Sequence, residues 1–238
     1  MTNIETIETA LKENTPSKSI GTEQEKYIHQ FLKYLITTDP NNHEIKINNH
    51  IVDVKLNQHI YEIQTANFGK LKNKVASLLD NYQVTIVYPI LCEKMLYKVS
   101  DDGAISGPRK SPKPDTVYKL FSELYQIQEL LENKNLSFKL VLFSVCYYQK
   151  ERINKYKQIR LSHIDSRINE ILDIIDINSC QELDRLVTIP GEFDRHQFEK
   201  HAKLSGRNAS GALVVLKNLK LITVIRKEGK KYIYEKTK

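Results

Sequence analysis

Two acids stand inside a stretch that otherwise reads as a buried β-hairpin. In Ile51-Val-Asp-Val-Lys-Leu-Asn-Gln-His-Ile-Tyr-Glu-Ile-Gln64, Val52, Val54 and Leu56 alternate with Asp53 and Lys55, and Tyr61 and Ile63 alternate with Glu62 and Gln64. This is the period of two that paired strands impose. A turn at Asn57 and Gln58 gives cross-strand partners whose numbers sum to 115, which sets Asp53 opposite Glu62 and leaves Gln64 on the same face. Carboxylates facing each other destabilise a hairpin, so the pair calls for a cation between them or for solvent on that face. With solvent there, the acids simply protect an open sheet edge.

A third acid comes from the segment before the hairpin. Tyr27, Ile28, Phe31, Leu32, Leu35 and Ile36 recur at helical spacing. Thr22 reads as the N-cap of this helix, and Glu25, three residues on, completes a capping box. Glu25 or its neighbour Glu23 is the candidate acid, and a glutamate there can equally serve as a cap alone.

An acid on a helix, Asp53 on a following strand and Glu62-x-Gln64 on the next resemble the PD-(D/E)xK nuclease superfamily, the fold of many restriction enzymes and Holliday-junction resolvases. The resemblance covers residues 20–150. It implies an α/β fold, with a restriction-endonuclease-like mixed sheet flanked by helices, in a nuclease-like domain over residues 1–155. By position it makes Glu25 (or Glu23) the helix acid, Asp53 the metal-bridging acid and Glu62 the second ligand. Gln64 takes the place of the usual lysine. Glu25, Asp53, Glu62 and Gln64 are thus the candidate catalytic residues.

Such a set suits Mg²⁺ (or Mn²⁺), a hard cation that demands oxygen ligands in near-octahedral geometry. Asp53, Glu62 and the backbone carbonyl of Ile63 are the candidate metal ligands. The ion can lower the pKa of an attacking water and shield the leaving oxyanion. Gln64 orients water but supplies no charge. Lys55, on the face of Asp53, is either a substitute or a lysine reaching into solvent.

Past the hairpin, Leu71, Val75, Leu78 and Leu79 mark a helix over 70–79, and residues 82–90 a buried strand. Strand, helix, strand implies a crossover and a partly parallel sheet. Lys70, Lys72 and Lys74 flank the predicted site, as phosphate contacts or as a solvated helix face. Residues 99–114 form a turn-rich loop carrying Arg109, Lys110 and Lys113, a candidate nucleic-acid contact or an ordinary surface loop. An amphipathic helix over 115–133, starting at Asp115, and a strand over 138–148 follow. The combination of Glu62-Ile-Gln-Thr-Ala-Asn-Phe68 with Arg109-Lys-Ser-Pro-Lys113 is also similar to a bacterial family of unassigned function.

Charge divides the chain. Residues 194–238 hold 12 lysines and arginines against 4 acids, a net of +8, whereas the whole chain carries +7. The pattern there resembles a winged helix, placed with an upstream helix over 163–177 in a second domain, 156–238. Asp194 caps a helix to Leu204 that turns Phe198, Ala202 and His201 inward, Ser205-Gly206 turns the chain, and 208–219 form the second helix. Residues 221–234 form a hairpin with a basic tip. Arg207, Asn208 and Ser210 begin the second helix, where base edges or phosphates are met. Lys227, Lys230 and Lys231 on the wing would touch the backbone of double-stranded DNA. Winged helices also serve as protein–protein modules.

The three cysteines, Cys92, Cys146 and Cys180, form no C-x-x-C pair, which argues against a zinc ribbon or a disulfide framework. The acidic start lacks a signal segment, and the longest apolar run, 140–148, is too short to span a bilayer. The expectation is a soluble cytoplasmic protein with no membrane partner. Two functions are compatible with these features. One is a metal-dependent DNA endonuclease hydrolysing phosphodiester bonds, for which a homodimer is the simplest assembly because two symmetric sites cut two strands. The other is a DNA-binding regulator or scaffold on an inactive nuclease-like fold.

Overall fold

The structure is a computed structural model that describes residues 4–14, 23–112, 114–153 and 158–237, the side chains of residues 12–14, 23–26 and 153 excepted. Helices α1 (Ile4–Asn14) and α2 (Glu23–Ile36) come first. The expected spacing on α2 buries Ile28, Phe31 and Leu32. Its expected cap, Thr22, lies outside the described residues. A short turn, capped by the Asp39 carboxylate on the Asn41 N–H, leads into a meander of β1 (His43–Ile47), β2 (His50–Leu56) and β3 (His59–Ile63). Both of its turns take two residues, with Asn48 and Asn57 at φ +51° and +54°. Asparagine tolerates that left-handed backbone better than most side chains. The pairs Val54–Tyr61, Lys55–Ile60 and Leu56–His59 have the register that the sequence predicts.

Helix α3 (Lys72–Leu79) then crosses over to β4 (Gln83–Val99), which runs parallel to β3. Strand β5 (Arg109–Lys110) lies on the outer part of β4. Helix α4 (Tyr118–Leu124) is followed by β6 (Leu136–Ile153), parallel to β4, and β7 (Ile159–Ile177), antiparallel to β6. Among the described residues the sheet has seven strands in the order β1-β2-β3-β4-β6-β7, with β5 off the path. Helices α1 and α2 cover one face through Ile7, Phe31 and Leu32, packed with Val54, Ile63, Val87 and Phe143. The other face packs on α3, α4 and the C-terminal elements.

Two expected helices are corrected. The 115–133 segment is α4 followed by tight 3-10 turns over Tyr125–Leu130, because Ile127 leaves helical backbone at φ −129°, ψ 24°. Asp115 pairs with Lys119 at 2.7 Å instead of capping. Residues 163–177 are part of β7. Val141, Phe143 and Val145, two apart on β6, face Ile174, Ile171 and Ile168, three apart on β7, because the register shifts after Leu142 and again after Ser144. Each bulge adds a residue on the β7 side, so a strand carries its inward isoleucines at near-helical spacing.

The C-terminal elements are α5 (Arg195–Ala202), α6 (Gly206–Asn218) and an antiparallel pair, β8 (Ile222–Glu228) with β9 (Lys231–Lys236). Asp194 and Gln197 form a full capping box on α5. Phe198 and Ala202 are buried as expected, while His201 is exposed and lies edge-on to Tyr118. These elements dock on α4 within one apolar core. Tyr118 Oη accepts the N–H groups of Thr188 and Ile189 at 2.8 and 2.9 Å, and Gly211 lets α6 approach Tyr125. Among the described residues no helix is long and apolar enough to cross a membrane.

Candidate functional site

The β2–β3 ladder ends at Val54–Tyr61, one pair before Asp53 and Glu62. Val52 packs in the core under α3 whereas Val54 packs under α2, so β2 turns over at Asp53. On β1 the residue opposite, Glu44, sits at φ +54°. The two acids, expected on one face, are therefore served from different helix layers. Asp53 Oδ2 accepts the Ile63 N–H at 2.8 Å and lies 3.3 Å from His29 Nε2 on α2. Its Oδ1 is 3.8 Å from the ammonium of buried Lys33, which also bonds Glu44 at 2.8 Å. Glu62, only 1% exposed, bonds Lys74 Nζ of α3 at 2.6 Å through Oε2. Its Oε1 is buried with no hydrogen-bond partner.

These surroundings push the two carboxyls apart. Burial raises Asp53, but the His29 hydrogen bond and charge, the Ile63 N–H and Lys33 outweigh it and hold the group below its ordinary value. Burial and then the Asp53 charge push Glu62 up to about 7, against the pull of Lys74 and of an Asp53 backbone bond. At neutral pH Asp53 is an anion, and Glu62 sits close to the point where it exchanges a proton.

The other expected site residues fall in different places. Gln64 turns its amide back on the following loop, donating to the carbonyl oxygens of Ala66 and Asn67. Lys55 donates to Asn57 O at 2.6 Å, away from the acids. Glu23 and Glu25 belong to the first turns of α2, with side chains outside the described residues. Position 25 is one helical turn before His29. Ile63 meets Asp53 through its N–H, between Glu62 and Gln64. Among the described residues no group of three or more His, Cys, Asp or Glu side chains stands together as a metal site. His29 and Lys33 are site residues that sequence reasoning misses. The signal for them is their i+4 and i+8 spacing from Glu25 on one helix face.

Arg109 and Lys110 are not brought to the carboxylates. Strand β4 meets Glu62 at Ile86 and Arg109 at Leu96, about 30 Å further along a strand. Lys110 pairs with Glu93 at 2.6 Å, and Lys113 lies outside the described residues. Arg207 and Asn208 are exposed at the start of α6, and Ser210 Oγ bonds Gly206 O at 3.0 Å. Ser210, Val214, Lys217, Lys230, Lys231 and Tyr232 line a groove of about 510 Å³ between α6 and the hairpin. Lys227 lies 5.5 Å over the Tyr232 ring, and Lys231 pairs with Asp194 at 3.0 Å.

The fold and site define a mixed α/β protein with two carboxylates, Glu62 buried and Asp53 half-buried, each held by a different helix layer. The chain belongs to the family described as Domain of unknown function (DUF8091), whose model matches residues 26–178. The match takes in His29, Lys33, Asp53, Glu62 and Lys74 and leaves α5 to β9 outside. The chain is also similar to an uncharacterized protein of Treponema pallidum (strain Nichols), 27% identical over 157 residues, covering 64% of this chain and 62% of that protein. The chain thus spans less than two thirds of that relative's length. No solved structure matches.

Proposed function

We propose that this protein is a metal-dependent DNA endonuclease whose C-terminal helices and hairpin place it on duplex DNA. The observation that carries the reading is Glu62 Oε1, a buried carboxylate oxygen with no partner beside a second carboxylate. Burying a polar oxygen without a partner is costly, and a cation shared with Asp53 would give Oε1 one. The element order also supports it: α2, the β1–β3 meander, α3 and β4 parallel to β3, with Asp53 on the second strand and Glu62 on the third, are compatible with the PD-(D/E)xK reading.

The donor set fits Mg²⁺ or Mn²⁺ in its hard oxygen chemistry. Asp53, Glu62 and the Ile63 carbonyl would hold the ion, with Glu25 as the further acid. Bound there, the ion supplies a polarised phosphoryl oxygen and a more acidic water. His29 keeps Asp53 oriented and ionised, Lys33 fixes Asp53 against β1, and Lys74 holds Glu62 in place. The helix pair α5–α6 and the β8–β9 hairpin act as a winged helix. Arg207, Asn208 and Ser210 face the groove of double-stranded DNA, and Lys227, Lys230 and Lys231 face its backbone. A homodimer brings two such sites to the two strands.

A second reading has its own support. Asp53 and Glu62 each already have a basic partner, and Gln64 is turned into a loop, as suits a DNA-binding regulator with an inactive nuclease-like fold. Incubation with supercoiled plasmid, linear duplex and branched DNA in Mg²⁺ or Mn²⁺, beside Glu62→Ala and an EDTA control, separates the two. Metal-dependent nicking that disappears in Glu62→Ala supports the nuclease; salt-sensitive binding with no cleavage supports the regulator.

A further inference from the structure

The site lacks the usual strand lysine, yet an ammonium already contacts one of its carboxylates. Lys74 Nζ lies 2.6 Å from Glu62 Oε2 and 2.6 Å from the Ile51 carbonyl. A carboxylate oxygen and a carbonyl oxygen converging on one cation are the ligand types that a hard divalent ion takes. Helix stabilisation does not account for the placement, because Lys74 sits in the first turn of α3, where the helix dipole disfavours positive charge.

We propose that Lys74 is a built-in counter-ion of the metal site: its ammonium occupies the cation position on Glu62 until a divalent ion takes that carboxylate, and is then released towards the substrate phosphate, supplying the charge that Gln64 lacks. This rests on the metal-dependent reading above. An ammonium on Oε2 and a divalent ion on the same carboxylate repel each other, so each weakens the other's hold on Glu62. Lys74 can also move, since its side chain is 19% exposed and its stem is long and flexible. Lys33 cannot take this role: its side chain is 3% exposed and held between Glu44 and Asp53. Lys55 points to the Asn57 carbonyl.

Titration of the full chain with Mn²⁺, followed by calorimetry and by the electron paramagnetic resonance of free Mn²⁺, tests this in wild type, Lys74→Met, Lys74→Gln and the control Lys72→Met. Lys72 is on the same helix and pairs with Glu129, away from the acids. The expectation is that both Lys74 variants bind Mn²⁺ more tightly, by roughly tenfold, as a competing charge is removed, while Lys72→Met binds as wild type does. DNA cleavage falls by about 100-fold in the same variants, the scale of losing one charge-stabilising donor. Lys74→Gln still donates a hydrogen bond to Glu62 and keeps the test open if Lys74→Met fails to fold. Equal or weaker Mn²⁺ binding by the folded Lys74 variants overturns the proposal, as does absence of Mn²⁺ binding in all of them. If wild type binds Mn²⁺ but cuts no DNA, the nuclease reading fails and takes the phosphate role with it, while the order of affinities still decides the counter-ion role.

Discussion

The carboxylate of Asp53 accepts the backbone N–H of Ile63 at 2.8 Å, beyond the last β2–β3 pair. A side chain thus takes over a ladder position and the hairpin opens, while Glu62, on the Ile60 face of β3, meets α3 at Lys74. Asp53→Ala should therefore cost stability as well as any activity. An N–H is left without its acceptor and Lys33 is left with one anion instead of two, so a destabilisation of about 1–3 kcal/mol is expected. Chemical denaturation read by circular dichroism checks it; a change under ~0.5 kcal/mol would mean that solvent already satisfies Ile63.

Stability should fall as pH rises towards neutrality, and Glu62 should be the cause. Its carboxyl is raised from an ordinary 4.5 to about 7, so between those values the folded state binds more protons than the unfolded one. The linkage relation then makes stability decrease with pH. The contribution is fully present below about 4.5 and disappears through about 7. Its full size is on the order of 3 kcal/mol. Asp53 acts in the opposite sense, since its carboxyl is depressed: its contribution disappears as pH falls below the ordinary value. Glu62→Gln should flatten the upper window and leave the acid limb. Melting temperatures from about pH 4 to about pH 8 report this, and an unchanged slope in Glu62→Gln would place the titration elsewhere.

At Gly211 the backbone of α6 comes close to the Tyr125 side chain. A Cβ there would meet Tyr125 Cβ and Cγ at 3.4 Å, so alanine is borderline and valine does not fit without moving α6. Gly211→Val is expected to destabilise by about 1–3 kcal/mol, the usual cost of overpacking. A melting curve in which only the C-terminal elements loosen would show that α5 to β9 fold apart from the sheet.

What the sequence discloses depends on the range of the interactions concerned. The register of β2 and β3 is legible because a two-residue turn at Asn57 and a period of two are local. The β7 strand is not: Ile168, Ile171 and Ile174 mimic a helix face, and only their pairing with Val145, Phe143 and Val141 shows why. Asp53 and Glu62 stand out as acids among apolar residues, while His29 and Lys33 look like ordinary polar positions of an amphipathic helix. Spacing puts them on one helix face with Glu25, but their role follows from docking α2 across the sheet, a long-range event. In the sequence Lys74 is one of three flanking lysines, and what distinguishes it from Lys70 and Lys72 is its tertiary approach to Glu62.

On the proposed function, the C-terminal basic groups divide into those that position the protein and those that read the duplex. Lys227 and Lys230 are exposed, and neither is among the described ion pairs. Each is therefore available to a phosphate. Lys227→Ala or Lys230→Ala should weaken binding to all duplexes alike and reduce the salt slope by about 0.9 for each phosphate no longer neutralised. Arg207→Ala should instead alter preference among sequences, because the first residues of a recognition helix meet base edges; a weakening of about 1–3 kcal/mol at a preferred site is expected. Lys231 should contribute less than its neighbours, since its ammonium already pairs with the Asp194 cap of α5. Fluorescence anisotropy of labelled duplexes over a salt series separates these cases. Affinities that stay unchanged in the alanine variants at Arg207, Lys227, Lys230 and Lys231 would assign the groove between α6 and the hairpin to a protein partner.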